Sequence, residues 1–381
     1  MRILHLAYED PAQPGSGGGS VRTREINRRL STRHQITAIV ASYPGARVRV
    51  QDGVRWIPIG TRSGTKLDRL VYFALLGLAV RRYPHDLLVE DFGAPFSVGL
   101  APLWTRRPVV ASVQWLFAGE MRQKYGLPFD LAERSGLYLY HDFVVVSEWL
   151  AGTVRARRPG ARIETIPNGV EPFAFSVPPQ PPRHFLFVGR LDAEQKGCDL
   201  LLDAFARIHA GLGPRTPPLK IAGDGPDRAR LEQQIRRLEL EQHVAFCGRV
   251  TGQVKYELMA SACAVLMPSR FETFGMVAVE AQAAGAPLVA FDVGPLREVA
   301  GGGGARLVVP FDVDAFAAEA LTLATHPERT EPLRETGRRW ARRFDWDEIA
   351  ARQEAHYLQA VQMPVRSLHA RRGPVHRKEQ G

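Results

Sequence analysis

Twice along its length this chain alternates short β-branched runs with amphipathic segments, and few folds are open to a chain built that way. Up to about residue 173 the runs are RILHLAY, QITAIVAS, DLLVED, PVVASVQ and FVVVS. From residue 184 a second series follows, HFLFVG, PLKIAG, VAFCG, AVLMPS, PLVAFD and ARLVVP, with helical stretches between. Short apolar runs bounded by turn residues and alternating with helices predict parallel sheets covered on both faces. Between the two series lies VPPQPPRH, Val177 to His184, where Pro is too dense for helix or sheet. The expected architecture is α/β, with two Rossmann-like doubly wound domains facing each other across a cleft, since open α/β sheets bind ligands at the carboxyl ends of their strands. The expected boundaries are 1–175 for the first domain, 176–184 for a semi-rigid linker and 185–345 for the second domain. Residues 346–362 read as a closing helix, and 363–381 as a basic, disordered tail.

Charge narrows the partners. With 50 Lys+Arg against 40 Asp+Glu, the formal charge of +10 suits an anionic ligand, a nucleic acid or an anionic membrane, or reflects an Arg-rich composition. No aromatic-studded basic stripe supports nucleic acid, so none is expected as a partner. The run LVYFALLGLAV, Leu70 to Val80, is too short to cross a bilayer and reads as a buried helix or as one lying on a membrane surface, flanked by Arg69, Arg81 and Arg82. Cys198, Cys247 and Cys263 form no CxxC pair, which argues against a disulfide scaffold or structural zinc. With the chain opening directly on RILHLAY, this predicts a cytoplasmic protein, with the inner membrane face as a peripheral site.

Several stretches carry chemistry. GSGGGS, Gly15 to Ser20, follows the first strand and precedes a helix whose N-cap could be Ser20. Its amides can approach a phosphate, but the second strand ends IVAS without the acidic residue of a dinucleotide site, and no GK[ST] follows. In VGRLDAEQKG, Arg190 and Lys196 stand in a loop after a strand, placed to hold a diphosphate, or are surface charges. In PSRFETFGMVAVEAQAAGAP, Thr273, Phe274 and Gly275 open a helix whose N-terminus suits phosphate. Glu280 sits among Ala278, Ala281, Ala283 and Ala284, so it needs a partner, for which a ribose diol is suited; Glu272 could take sugar hydroxyls. Asp312-Val313-Asp314 resembles a metal-binding Asp-x-Asp, yet it starts a helix and N-capping explains it; His5, His34, His85 and His141 are scattered. No metal and no cofactor beyond a co-substrate is expected.

Together GRLDAEQKG, IAGDGP, IPNGVE and the Glu-x7-Glu spacing of Glu272 and Glu280 resemble the retaining nucleotide-sugar glycosyltransferases with the GT-B fold, family 4. The resemblance runs from about residue 1 to 360 and is strongest in the second half. It implies a metal-independent hexosyl-type transfer from a nucleotide-diphosphate sugar to an acceptor hydroxyl with retention, in natural-product or glycoconjugate biosynthesis. Arg190 and Lys196 would hold the diphosphate, helped by amides around Thr273, Phe274 and Gly275. Glu280 would hold the ribose, Glu272 the transferred sugar, and Gly248-Arg249-Val250 the base. Gly18 and Gly19 match the family's Gly pair near phosphates and acceptor. One departure stands out: where the family usually has His after the strand PVVASV, this chain has Gln114, which cannot titrate. Same-face attack, with the departing diphosphate taking the acceptor proton, tolerates that change. On the acceptor side, Glu90 and Asp91 could orient a hydroxyl or cap a turn, and Trp115 and Tyr125 could stack on a ring or pack in the core. A nucleotide-sugar epimerase with the same donor site is the alternative, and a binding protein that has lost activity is a third reading.

Overall fold

The computed structural model describes residues 1–363 except 14, 65, 94–96, 117 and 119–128. Tyr125 and the tail beyond Met363 lie outside the described residues. The chain divides into two compact units. Unit 1 comprises Met1–Val145, Thr153–Glu164 and the described residues from Ala350 on; unit 2 comprises Val146–Gly152 and Thr165–Ile349.

Unit 1 is built on strands β1 (Arg2–Leu6), β2 (Gln35–Ala41), β3 (Arg49–Gln51), β4 (Val54–Ile59), β5 (Leu87–Phe92), β6 (Val109–Val113), β7 (Asp142–Val145) and β8 (Arg162–Thr165). Their order is β3-β4-β2-β1-β5-β6-β7-β8. The pairs β1–β2, β1–β5, β2–β4, β5–β6 and β6–β7 are parallel. Ile3, Leu4, Ile39, Val89 and Ala111 are buried at the centre of this sheet, as continuous apolar runs predict. The sequence reading did not anticipate β3, β4 or β8. Here β3 and β4 form an antiparallel hairpin at the sheet edge, turned at Asp52-Gly53, both with positive φ. Pro58 inside β4 obscures that strand, because Pro argues against a sheet interior.

Helices α1 (Gly18–Leu30), α2 (Lys66–Arg82), α3 (Phe129–Leu139) and α4 (Glu148–Arg157) follow in chain order. The apolar run Leu70 to Val80 lies in α2, which buries Tyr72, Leu76, Ala79 and Val80 but exposes Leu70, Leu75 and Leu78. It is half core, half surface. Among the described residues no helix is long and apolar enough to cross a membrane.

Unit 2 carries β9 (His184–Val188), β10 (Leu219–Ala222), β11 (Val244–Gly248), β12 (Ala262–Met267), β13 (Leu288–Phe291) and β14 (Ala305–Val308), all parallel, in the order β11-β10-β9-β12-β13-β14. Around them run α5 (Ala193–Lys196), α6 (Cys198–Leu212), α7 (Arg228–Arg237), α8 (Gly252–Ala260), α9 (Met276–Ala283), α10 (Leu296–Ala300), α11 (Val313–Thr325) and α12 (Pro327–Ala341). All six residues of β12 are buried, and a large apolar side chain so placed contributes roughly 1.5–3 kcal/mol. Asp312 caps α11 by accepting from the Ala315 N–H at 2.9 Å, and Asp314 pairs with Arg207.

The expected linker at 176–184 lies inside unit 2, and the chain passes between the units earlier, over residues 145–165. The reason is local bonding. Arg338 donates to the carbonyls of Phe175 and Val177, and the Val170 N–H donates to the Phe344 carbonyl at 2.8 Å. The closing helix α13 (Trp346–Gln362) divides at Ala350. From there it is tied into unit 1, with Gln353 accepting from Arg22 at 2.7 Å, Glu354 paired with His34 at 2.6 Å and His356 bonded to Asp142 at 2.7 Å.

Candidate functional site

In each sheet the strand order reverses once, between β1 and β5 in unit 1 and between β9 and β12 in unit 2. Loops that leave the carboxyl ends of strands on either side of such a reversal part from one another and leave a crevice. In unit 2 those loops hold the residues singled out from sequence. Arg190 follows β9, is exposed, and its guanidinium has no partner among the described residues. Lys196 ends α5, whose N-cap Asp192 accepts from the Gln195 N–H. Its ammonium lies 2.6 Å from Glu272 Oε1, and Ser269 Oγ donates to the same oxygen at 2.8 Å. Glu272 is buried, so the pair is a desolvated contact between the two loops.

Two further contacts fix this geometry. Gly197, at φ +64°, passes so close to β12 that a Cβ there would sit 1.9 Å from the Pro268 carbonyl oxygen. Arg270 forks onto both oxygens of Asp199 at 2.6 and 2.8 Å and donates to the Ala193 carbonyl at 2.5 Å. A fork of two parallel bonds fixes direction as well as distance. With the Ala193 bond it ties the segment carrying Glu272 to α5 and to the first turn of α6.

Beyond it, Gly275 is the N-cap of α9, which begins at Met276, one residue after the expected Thr273-Phe274-Gly275 start. Phe274 is buried against Phe344, ring centroids 5.8 Å apart, so its side chain belongs to the core and only its backbone is available to a ligand. Glu280 is buried on the alanine-rich face of α9, and Lys255 of α8 supplies its partner at 2.7 Å. The Lys255 ammonium also lies 4.7 Å from the centroid of the Tyr256 ring. Gly248 closes β11, Arg249 is exposed and Val250 half-buried before α8 begins.

In unit 1 the first turn of α1 holds Gly18 and Gly19. Its N-cap is Gly17, not Ser20, whose hydroxyl donates back to the Gly17 carbonyl at 2.7 Å from within that turn. Gly19, Asp91, Gln114 and Trp115 line one pocket together with Tyr8, Glu9, Ser20, Phe92 and Ser112. Gln114 Nε2 donates to the Gly19 carbonyl at 3.2 Å, and a Cβ on Gly19 would lie 3.1 Å from the Trp115 ring. Asp91 accepts from Thr23 Oγ1 at 2.8 Å, and its other oxygen lies 3.2 Å from His5 Nε2.

Glu90 does not join Asp91 there, because neighbours on a strand face opposite sides of the sheet. It is buried, bonded to Ser97 Oγ at 2.8 Å, with Oε2 unpartnered among the described residues. Burial pushes its pKa up to about 8, against the Ser97 bond and helped by the charge of Asp91, which favours the protonated form. Burial also pushes the Cys198 and Cys263 thiols up, to about 12 and about 11, which leaves them inert.

Lys255, Ser269, Arg270 and His5 are site residues that the sequence reading missed. Nothing local marks them. The one available hint was Glu280 itself, since a carboxylate on an alanine face demands a cation or donor from elsewhere in the chain.

Two sequence families match the chain. Glycosyltransferase Family 4 covers residues 16–172, and Glycosyl transferases group 1 covers residues 171–340. The chain belongs to the family 4 type of GT-B glycosyltransferases. Glycogen synthase of Mycobacterium tuberculosis is 34% identical over 211 residues, 53% of this chain and 50% of that protein, so the match spans about half the relative's length. Among solved structures, sucrose-phosphate synthase from Thermosynechococcus elongatus has a TM-score of 0.76 at 20% identity, covering 94% of this chain and 98% of that one. Anabaena HepE in complex with UDP and glucose has a TM-score of 0.72 at 22% identity, covering 94% and 99%. These likenesses confirm the α/β architecture of two parallel-sheet domains expected for this GT-B family.

Proposed function

We propose that this GT-B chain is a hexosyl-type glycosyltransferase that moves a sugar from a nucleotide-diphosphate sugar to an acceptor hydroxyl, with retention and without a metal. The observation that carries the reading is the unit 2 switch point, where Arg190, whose guanidinium has no partner among the described residues, the Lys196–Glu272 pair and the α9 N-terminus follow the carboxyl ends of the adjacent strands β9 and β12. Arg190 and Lys196 hold the diphosphate and stabilise the charge that develops on it as the glycosidic bond breaks. In doing so Lys196 exchanges part of its contact with Glu272 for phosphate, which frees a carboxylate oxygen for the sugar hydroxyls. Glu280 takes the ribose diol beside Lys255, and the backbone of Gly248-Arg249-Val250 grips the base. Amides around Thr273 and Gly275 assist at the phosphates.

Unit 1 receives the acceptor through Asp91, Gln114 and Trp115. Gln114 cannot take a proton, so the departing diphosphate accepts it from the attacking hydroxyl on the same face of the sugar. That HepE was solved with UDP and glucose supports the class of donor. The free cysteines support a reducing, cytoplasmic setting, with biosynthesis of a natural product or glycoconjugate as the role. The exposed Leu70, Leu75 and Leu78 of α2, next to Arg81 and Arg82, support peripheral contact with an anionic membrane, which sedimentation with anionic vesicles at low salt checks.

The test is to supply nucleotide sugars with candidate acceptors in the presence of a chelator and to read both nucleotide release and the anomeric proton of the product. Acceptor-dependent release with an unchanged anomeric configuration supports the reading. Donor conversion that needs no acceptor means an epimerase instead, and inverted product removes the retaining mechanism.

A further inference from the structure

Resting on the reading of unit 2 as the donor side, we propose that Ser147 and Glu298 are positioning residues for the transferred sugar, because they hold the backbone on which Glu272 stands. Both belong to unit 2, which includes Val146–Gly152 and with it the first turn of α4. The opening amides of a helix have no acceptor within the helix and need one from outside. Glu298 of α10 supplies two: Oε1 accepts from the Glu148 N–H at 2.8 Å and Oε2 from the Trp149 N–H at 3.2 Å. Ser147 Oγ supplies the third, accepting from the Leu150 N–H at 3.2 Å. A hydroxyl also carries one hydrogen, and Ser147 gives it to the Thr273 carbonyl at 3.2 Å. Ser147 is buried, so solvent is not at hand to replace either bond.

The bond to Thr273 sets Ser147 apart from an ordinary helix cap, since Thr273 adjoins Glu272. The same stretch is met from other sides by the same two elements. The Phe271 ring packs edge-on against Trp149, with centroids 6.0 Å apart and planes at 72°. The Glu272 carbonyl oxygen abuts Gly294, at φ +54°, where any Cβ would collide with it. Leu296 abuts Gly275 so closely that a Cβ there would collide with its Cδ2. Gly294 and Leu296 belong to the loop and helix that carry Glu298, and Trp149 to the turn that Glu298 caps. Glu298 thus staples α10 to α4, and the two together brace Phe271–Gly275. Lys196 and Ser269 aim the Glu272 carboxylate, whereas this brace places its backbone. Placement matters because a shift of about 1 Å can cost about 10²-fold in rate. Gly248-Arg249-Val250 and Glu280, proposed for base and ribose, lie outside these contacts, so nucleotide affinity should outlast the loss of the brace.

The experiment compares the full-chain wild type with Ser147→Ala, Ser147→Thr and Glu298→Gln. Ala removes both bonds of Ser147, and Thr keeps a hydroxyl that donates and accepts. Gln keeps the shape of Glu298 but turns an NH2 toward one of the two N–H groups; Glu298 is exposed, so this variant serves where Ser147→Ala fails to fold. Amide hydrogen exchange without ligand should quicken over Phe271–Gly275 as well as Glu148–Ala151 in Ser147→Ala and Glu298→Gln, and return toward wild type in Ser147→Thr. Titration with UDP, GDP, ADP and dTDP and nucleotide release from their glucose nucleotides give the functional readout. For the nucleotide that binds, affinity should stay within about twofold, while kcat/KM for release falls about tenfold in Ser147→Ala and about threefold in Glu298→Gln. Faster exchange confined to Glu148–Ala151 means a helix cap alone and overturns the proposal, as does an equal loss of nucleotide affinity and turnover. Failure of the donor reading shows separately, as wild type that binds none of the four diphosphates, and it removes the proposal with it.

Discussion

Unit 1 and unit 2 each reverse strand order once, and in each the loops beside the reversal hold ionisable side chains. At β9 and β12 those are Arg190, Lys196 and Glu272, cations with a carboxylate between loops. At β1 and β5 they are Glu9 and Asp91, carboxylates without a lining cation among the described residues. One strand arrangement thus carries different charge in the two units, because the sheet only decides where loops part and the residues there decide the chemistry. Glycine does related work in both places. Gly197 lets β12 approach α5, and Gly19 leaves room for the Trp115 ring.

The largest expected effect breaks the unit 2 side. Lys196→Ala removes a cation from the departing diphosphate and leaves Glu272 with only Ser269, so turnover should fall about 10²–10³-fold. Steady-state release of nucleoside diphosphate measures it; near-normal turnover rules out the assignment of Lys196 to the diphosphate. Next comes Gly197→Ala, which forces a Cβ onto the Pro268 carbonyl at positive φ. Its expected cost is about 2–4 kcal/mol of stability, read by chemical denaturation.

Lys255→Met follows. It strands Glu280 on its alanine face, and since both partners keep some solvent exposure the loss should be near the lower end for a broken buried pair, about 2–3 kcal/mol. It should also raise the donor KM more than it lowers kcat, as expected of a residue that holds a ribose ligand in place. Lys255→Arg should recover part of that loss.

The last effect, in unit 1, is read as a slope with pH rather than as a loss on substitution. Glu90 has its pKa raised from 4.5 to about 8, so folding takes up a proton there. The stabilisation linked to that proton is full below pH 4.5 and is lost as pH rises through about 8. Wild-type stability should therefore fall across this window, by at most roughly 1.4 kcal/mol per pH unit from this group. In Glu90→Gln that part of the slope should vanish, and an unchanged slope would place the ionisation elsewhere.

Much of the fold was legible because parallel strands are written locally. Runs such as FVVVS and AVLMPS are continuous, β-branched and bounded by turn residues, and β7 and β12 lie there. The β3–β4 hairpin was less visible, since β3 has three residues and Pro58 interrupts β4, although Asp52-Gly53 is a hairpin signal. The linker was misjudged for a related reason. Dense Pro marks an absence of regular structure, whereas the hydrogen bonds of Arg338 decide which body that segment joins. In the site, Arg190, Lys196, Glu272 and Glu280 could be chosen from spacing, but their partners could not. Lys196 meets Glu272 across 76 residues and Lys255 meets Glu280 across 25, and such distant pairings are settled only by packing. Strand alternation, by contrast, was available from the start and separates Glu90 from Asp91.

The division of labour between the two switch points is tested most directly by amide hydrogen exchange with and without a panel of nucleoside diphosphates, on the wild type and on Lys196→Ala. The account predicts that at least one nucleotide protects peptides covering Arg190–Gly197 and Phe271–Glu280, and that this protection is lost in Lys196→Ala. Protection at Tyr8–Ser20 and Asp91 with none at Arg190–Gly197, or protection unchanged in Lys196→Ala, would contradict it.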